Sequence, residues 1–429
     1  MKLLFLTTRN VPFSRDHIFI KDVYNELSRQ TNDVCLGSIF IDSDIVQCKQ
    51  ESSVINNHAY YKLFIPRDSS QEIVMNSITS FFKNISPDII HSNSTDTLEI
   101  EIAKFLCIPI VLTVHVGGVV CPRSKLNGFL KYDNSICDSA ISPMCLRCIS
   151  KELPFPNLTY LLLKGIPYSF FQRAQDILKH NNVYYLSRLI YLRSLYENRK
   201  SDLELLKYAH LIAANRQLIH LLELNGLKHN VFLLPHGVKL RQKLSYPSLD
   251  GKIKFYYVGR LQYAKGIEVL LKAFDNINTN LYELHILGEA GGSNSAHRYL
   301  RRLKKLAYHK NVFFHSAIPN SQMEDFVKDK HVMIHPTFCH EIYGIAIAES
   351  LSFGRPVIAT KCGGAEMQIV DGFNGWLIEP NSASSMRKVL LEILEQKEIL
   401  VHYANRCYLP HNVEKYATQL LDIYNKIIN

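Results

Sequence analysis

The sequence predicts an α/β protein made of two Rossmann-like halves, each a mainly parallel sheet covered by helices. Three observations carry that prediction. Short apolar strand patterns alternate with amphipathic helix patterns along most of the chain, as βαβ units require. The 429 residues are long for one core and comfortable for two. A polar stretch with Pro and Gly, KLRQKLSYPSLDG, interrupts the alternation near the middle and reads as a linker. The expected domains are 1–240 and 252–405, with a terminal helix over 406–429.

Composition narrows the function. Hydrophobic residues make up 47% and charged residues 21%, as in soluble globular proteins. No apolar run is as long as a membrane span. The start, MKLLFLTTRN, reads as a first strand rather than a signal peptide, because its apolar run is too short. A cytoplasmic location follows as the expectation, and there ten cysteines read as reduced thiols or metal ligands rather than disulfides. The net charge of +10 suits nucleic acid, anionic lipid or a phosphorylated substrate. No RNP, zinc-finger or helix-turn-helix signature is present, so nucleic acid is not an expected partner.

In the first half, LLFLTT is a buried-type strand and IFIKDVYNELSRQ a helix, joined by the loop RNVPFSRDH. LGSIFI is a strand followed by Asp42-Ser43-Asp44. A D-x-D pair can hold a divalent metal on a nucleotide, but alone it is a weak signal, and a polar loop after a strand is the preferred reading. A helix around Val74 to Phe82, the strand DIIHSN, the helix LEIEIAKFL and the strand PIVLTVH continue the pattern. His115 closes that last strand, where open α/β sheets place ligand groups. Beyond it lie Cys121, Cys137, Cys145 and Cys148. Four thiols admit a tetrahedral zinc site, or four reduced cysteines in a packed loop. NLTYLLLKGIPYSFF is strongly apolar and precedes a segment rich in Tyr and Arg. That pairing suits an anionic membrane surface, with Leu161, Leu162, Phe170 and Phe171 partly inserted, or else a packed helical pair. LIAAN and VFLLPHG are the last strands of this half.

In the second half, strands fall at IKFYYVG, LYELHILG, NVFFHS, VMIHP, PVIAT and GWLIEP. Helices fit at KGIEVLLKAF, at Tyr299 to Leu306, at SQMEDFV, where Ser321 to Glu324 reads as a capping box, and at GIAIAESLSF. The inner face of the last is expected to be Ile345, Ala348 and Leu351. No G-x-G-x-x-G follows the first strand, which argues against a dinucleotide redox enzyme. VEKYATQLLDIYNKI is an amphipathic closing helix.

The chemistry concentrates between His335 and Pro380. Glu341 stands in a short loop, Gly344 opens a helix, Glu349 lies inside it, and Gly354 ends it. A helix N-terminus at the ends of parallel strands suits a phosphate, since unpaired N–H groups and the dipole both favour an anion. Eight residues of pure helix would rise about 12 Å, a span that reaches from a sugar to a ribose across a diphosphate. Upstream, Arg260 and Lys265 stand at a strand end, where two cations can neutralise a diphosphate.

Taken together, E-x7-E with Gly344, G-R-P-V-I-A, Gly363-Gly364-Ala365-Glu366 and G-R-L-x3-K-G resemble the retaining, nucleotide-sugar-dependent glycosyltransferases of GT-B family 4. Tyr343 replaces the usual Phe, Glu366 comes one residue early, and Pro235-His236-Gly237-Val238 stands for a P-N-G-V turn. The first half departs further: its first loop has no glycine, and Val116 replaces an Asp after His115.

The resemblance implies two Rossmann-like domains facing each other across a cleft, with the last helix crossing back to the first domain. It implies a hexosyltransferase-type, retaining enzyme of surface polysaccharide or lipopolysaccharide synthesis, peripheral on the cytoplasmic membrane face. Its partners would be a nucleotide sugar and a glycan or lipid-linked acceptor, with no cofactor required. Glu341, His115, Arg260 and Lys265 would be catalytic; Arg260, Lys265, Gly344, Ile345 and Glu349 would bind the donor. The alternatives are another GT-B enzyme, either a sugar phosphorylase or a nucleotide-sugar epimerase, and a catalytically inactive scaffold that docks on membrane or partners.

Overall fold

The structure is a computed structural model that describes residues 1–7, 18–94, 97–115, 119–123, 130–133, 135–178, 184–239, 241–408 and 411–429. The first loop, 9–17, lies outside the described residues. The chain divides into two compact units, Met1–Gly237 with Val413–Asn429, and Val238–Asn412.

The first unit carries an eight-stranded sheet. Its strands are β1 (Leu3–Leu6), β2 (Val34–Asp42), β3 (Lys49–Ile55), β4 (His58–Pro66), β5 (Ile89–Ser92), β6 (Ile110–Thr113), β7 (His210–Ala213) and β8 (Val231–Leu233). The order across the sheet is β3-β4-β2-β1-β5-β6-β7-β8. All neighbours are parallel except the hairpin β3–β4. Sequence patterning did not yield that hairpin. Its turn is Asn56-Asn57, with φ of 50° and 64°. Asparagine tolerates this left-handed backbone, and two such residues make the turn whose twist matches a hairpin.

Among the described residues eight helices accompany these strands: α1 (Ile18–Gln30), α2 (Gln71–Ile85), α3 (Leu98–Phe105), α4 (Cys145–Ser150), α5 (Pro156–Gly165), α6 (Tyr168–Leu178), α7 (Tyr184–Leu206) and α8 (Arg216–Leu224). Ser70 caps α2 by accepting the Ile73 N–H, which satisfies one orphan donor of the first turn. Phe5, Leu36, Ile89, Val111 and Ile212 form one core with Tyr24 of α1. Tyr416, Leu420 and Tyr424 of the terminal helix, Val413–Ile428, join that core. The Tyr424 hydroxyl meets His91 Nδ1 at 2.6 Å. Burial first, and His115 second, push the His91 imidazole down to about 3, so it stays neutral.

The second unit carries six parallel strands, β9 (Ile253–Val258), β10 (Tyr282–Leu287), β11 (Val312–His315), β12 (Val332–His335), β13 (Val357–Thr360) and β14 (Gly375–Ile378). Their order is β11-β10-β9-β12-β13-β14. Alternate side chains serve opposite faces. Phe255 and Tyr257 pack with Leu284, Ile286 and Ile358 on one side. Tyr256 packs with Met333, Val357 and Ala359 on the other. Burial on both faces is why these strands read as unbroken apolar runs.

The helices of this unit are α9 (Ile267–Ala273), α10 (Asn294–Leu306), α11 (Met323–Val327), α12 (Ile345–Ser352), α13 (Ala383–Glu395) and α14 (Ile399–Arg406); the terminal helix is α15. Three expectations are corrected. The capping box at Ser321 does not form: residues Asn320–Gln322 make a 3₁₀ turn, and α11 starts behind Gln322 without a side-chain cap. Helix α10 starts earlier than its apolar pattern, because Ser293 accepts the Ala296 N–H. On α12 the inner face is Ile347, Ala348 and Leu351, while Ile345 is 40% exposed. The left-handed Gly344 ahead of the helix turns its first residue outward.

Candidate functional site

The C-terminal ends of β9, β12 and β13 bring the sequence-predicted residues of the second unit together. Chain separation is large, so register and turn geometry do the placing. Gly266 ends the turn after β9 with φ of 72°, and a Cβ there would lie 2.0 Å from the Pro336 carbonyl oxygen. Only glycine allows the two loops to approach this closely. The approach delivers Lys265 to Glu341, with Nζ 2.5 Å from Oε2. His335, the last residue of β12, adds its Nε2 to the same carboxylate oxygen at 3.3 Å. Thr337 Oγ1 lies 3.2 Å from that ring nitrogen.

Glu341 is held on its backbone as well. Its N–H donates to the Cys362 carbonyl, and its own carbonyl accepts from Gly364 N–H, both at 2.8 Å. A Cβ on Gly364 would meet Tyr343 backbone at 2.4 Å, so this turn also needs glycine. Burial alone would raise the Glu341 carboxyl, but the Lys265 charge and the His335 contacts outweigh it and hold the group well below the ordinary range. On Lys265, burial pulls the ammonium down, and the Glu341 charge reverses that and raises it. Both partners stay charged at neutral pH.

Glu349 lies on α12 and meets a residue that sequence reasoning had placed in a linker. Arg241 Nη2 is 3.5 Å from Glu349 Oε1 and 2.5 Å from Asn320 Oδ1. No local pattern marks Arg241, since its partners are 108 and 79 residues away. Arg260 is exposed beside this region, and its carbonyl accepts the Tyr257 hydroxyl at 2.8 Å. Glu366 accepts the Gly363 N–H at 2.6 Å and so closes its own turn.

A cavity of about 450 Å³ opens at the C-terminal end of β10, lined by Leu261, Gly288, Glu289, Gly291, His297 and Ser316 among others. Sequence reasoning missed it. The signal was the G-E-A-G-G run after β10, where Gly288 and Gly291 adopt φ of 152° and 84°.

Residues 239–409 match the family model described as glycosyl transferases group 1. An uncharacterized glycosyltransferase of Methanocaldococcus jannaschii is 25% identical over 185 residues, 42% of this chain and 46% of that protein. The match thus spans about half the length of that relative. Among solved structures, Anabaena HepE in complex with UDP-glucose superposes with a TM-score of 0.64 at 13% identity, covering 99% of this chain and 100% of that one. The apo lipopolysaccharide outer core galactosyltransferase WaaB superposes with a TM-score of 0.60 at 14% identity, covering 100% of both chains.

The chain resembles the group 1 glycosyltransferases.

Its fold is GT-B, with two Rossmann-like units. In the first unit the group 1 resemblance directs attention to His115. It follows β6, and its Nε2 lies 2.8 Å from Asn93 Oδ1. The Asn93 amide donates to the Leu6 carbonyl at 2.8 Å, so its oxygen faces His115 and the imidazole carries its proton on Nε2. Phe19 packs edge-on to His115 and stacks on His236 at 4.2 Å. His115 therefore stands at the carboxyl ends of parallel strands, among partners that fix its tautomer.

Two metal expectations fare differently from the acid–base groups. Among the described residues no three Cys, His, Asp or Glu side chains gather to hold a metal ion, and no disulfide forms. Cys121, Cys137, Cys145 and Cys148 lie near enough to influence one another electrostatically but make no cage. Burial first, and the neighbouring cysteines after it, raise the Cys145 thiol to about 11. At the D-x-D sequence, Asp42 Oδ1 accepts both the N–H and the hydroxyl of Ser43, at 2.6 and 3.1 Å. That is the polar turn rather than a preformed metal ligand pair.

Proposed function

We propose that this chain is a retaining, hexosyltransferase-type glycosyltransferase. It moves a sugar from a nucleotide-sugar donor to a glycan or lipid-linked glycan in surface polysaccharide or lipopolysaccharide synthesis. The observation that carries the reading is the Lys265–Glu341–His335 constellation beside the N-terminus of α12. A buried, ionised carboxylate locked to a cation is costly to assemble, and it forms here at the strand ends where an α/β sheet binds ligands.

In this reading Arg260, Lys265 and the first turn of α12, with the backbone of Gly344 and Ile345, stabilise charge that grows on the departing diphosphate. Arg260 is the exposed cation of the set; Lys265 begins the cycle engaged to Glu341. Glu341 holds the donor sugar, and Glu349, oriented by Arg241, accepts from the ribose hydroxyls. The glycine-lined cavity after β10 has the size to take the nucleoside. His115 is read as a catalytic group of the first unit. No cofactor or divalent metal is needed, because fixed positive groups supply the electrostatics. The match of this fold to a protein crystallised with UDP-glucose supports the donor class. The enzyme works on the cytoplasmic side, in peripheral contact with an anionic membrane.

Mass spectrometry of a small nucleotide-sugar panel tests the reading. Donor-dependent release of free nucleotide, together with a glycosylated acceptor, is the expected result. Phosphate-dependent sugar release without a nucleotide requirement would point to a phosphorylase. Inertness toward every donor would leave the docking scaffold.

A further inference from the structure

We infer that Arg355 is a positioning residue for the donor site: it ties residues 241–248 to the rest of the second unit and thereby sets Arg241 against Glu349. This rests on the reading of Glu349 as the group that accepts from the donor ribose. Arg355 comes from the G-R-P-V turn after α12, and its side chain is fully buried. Carbonyls, not a carboxylate, take its protons. Nη1 donates to the Phe353 carbonyl at 3.1 Å, and Nη2 donates to those of Ser245 and Lys328, both at 3.0 Å. Phe353 caps the C-terminus of α12, and Lys328 caps that of α11. Carbonyls at a helix end lack a partner within the helix and carry its negative pole, so two such ends suit a buried cation.

Packing alone does not call for arginine here. An apolar side chain of similar volume would avoid the cost of burying a charge. Arg355 also leaves its Nε–H buried without a hydrogen-bond partner among the described residues, which costs further stability. What an apolar side chain cannot do is hold three separate segments by their carbonyls. The third of these, residues 241–248, is fastened at further points. The Leu244 N–H donates to the Phe353 carbonyl at 3.3 Å. The Tyr246 ring lies 5.4 Å from the Arg355 guanidinium, and its hydroxyl donates to the His331 carbonyl at 2.9 Å. His331 Nδ1 accepts the Lys254 N–H, so its Nε2 carries the proton that goes to the Ser248 carbonyl at 3.0 Å.

The same three pieces meet again at Arg241. Its Nη2 bridges Asn320, in the turn ahead of α11, and Glu349, on α12. An arginine side chain has many rotamers to lose, so it stays ordered against a partner only where its backbone is held. Arg355 supplies that hold four residues along the chain, at Ser245.

Calorimetric titration of the purified chain with UDP, GDP and ADP tests the inference. The nucleoside diphosphate that binds wild type best is then titrated into Arg241→Gln, Arg355→Met and the double variant. Each single variant should weaken binding about tenfold to a hundredfold, the usual loss for a hydrogen bond to a charged group. The double variant should bind no more weakly than the weaker single one, because both changes release the same contact. A purely structural role would lower the urea midpoint of Arg355→Met and leave its affinity unchanged, or make the two losses multiply. Either result would overturn the inference. Where Arg355→Met fails to fold, Tyr246→Phe decides, since it loosens the same segment at a partly exposed position. It should weaken binding about fivefold in wild type and not at all beside Arg241→Gln, and an unchanged affinity in wild type would overturn the inference. Wild type that binds none of the three nucleotides would overturn the donor reading and this inference with it. Wild-type binding that the Arg355 and Tyr246 variants leave untouched overturns this inference alone.

Discussion

Lys265 faces two demands at once. It neutralises Glu341 in a site where both side chains are about four-fifths buried, and it is proposed to meet the leaving diphosphate. Lys265→Ala and Arg260→Ala should each slow transfer about a hundredfold to a thousandfold, the usual loss for one donor to a developing anion. Their stabilities should differ. Losing Lys265 leaves Glu341 charged without its cation and should cost about 1–3 kcal/mol, whereas the exposed Arg260 should cost about 0.5 kcal/mol or less. Urea unfolding beside nucleotide release separates the two effects; near-wild-type turnover in either variant would sink the diphosphate assignment. The same pair sets an acid limb. Glu341 titrates lower in the native chain than unfolded, so its stabilisation is complete above the unfolded value of about 4.3. It is lost as pH falls toward the native value. Stability should therefore fall more steeply with acidification in wild type than in Glu341→Gln. Urea midpoints at neutral pH and at about pH 3 check this, and parallel curves would remove the pair from the acid limb.

At the scale of elements, the site depends on turns that let loops approach one another. Gly266 lets the loop after β9 reach Pro336, and Gly364 lets the turn after β13 reach Tyr343. Each Cβ would strike backbone, which has no rotamer to escape into. Gly266→Ala and Gly364→Ala should each lose about 1–3 kcal/mol and displace Lys265 or Glu341, with a matching fall in turnover. Gly165→Ala is the control, since its Cβ would meet nothing within 4 Å. It should shift stability by about 1 kcal/mol or less, as a helix-end Gly usually does. Equal urea midpoints for all three would show that the approach of the loops is not tight.

For the whole molecule, the proposed reading has positive charge of the protein's own in place of a metal. Transfer is expected to proceed without added divalent cation, and EDTA should leave the rate unchanged. Metal content must be measured on the same sample, because ten thiols can scavenge metal. Complete, reversible loss in EDTA would bring the Asp42-Ser43-Asp44 turn back as a ligand pair.

Much of this was determined by local sequence. All six strands of the second unit and the helix behind Gly344 follow from apolar period and turn chemistry over windows of about ten residues. The candidate site residues Glu341, Glu349, Arg260 and Lys265 were named from a family resemblance that motifs of a few residues each carry. Their partners were not. Lys265 and Glu341 are 76 residues apart, and Arg241 and Glu349 are 108 apart. Which cation meets which carboxylate depends on strand order, on a glycine that admits a neighbouring backbone, and on the direction in which a helix starts. The same holds for the α5–α6 face: hydropathy marked the stretch as apolar, and only packing decided that Phe171 goes into the core while Phe170 remains in water. Period and composition act between near neighbours along the chain, but an ion pair or a buried face is made between elements, where only tertiary structure sets the distance.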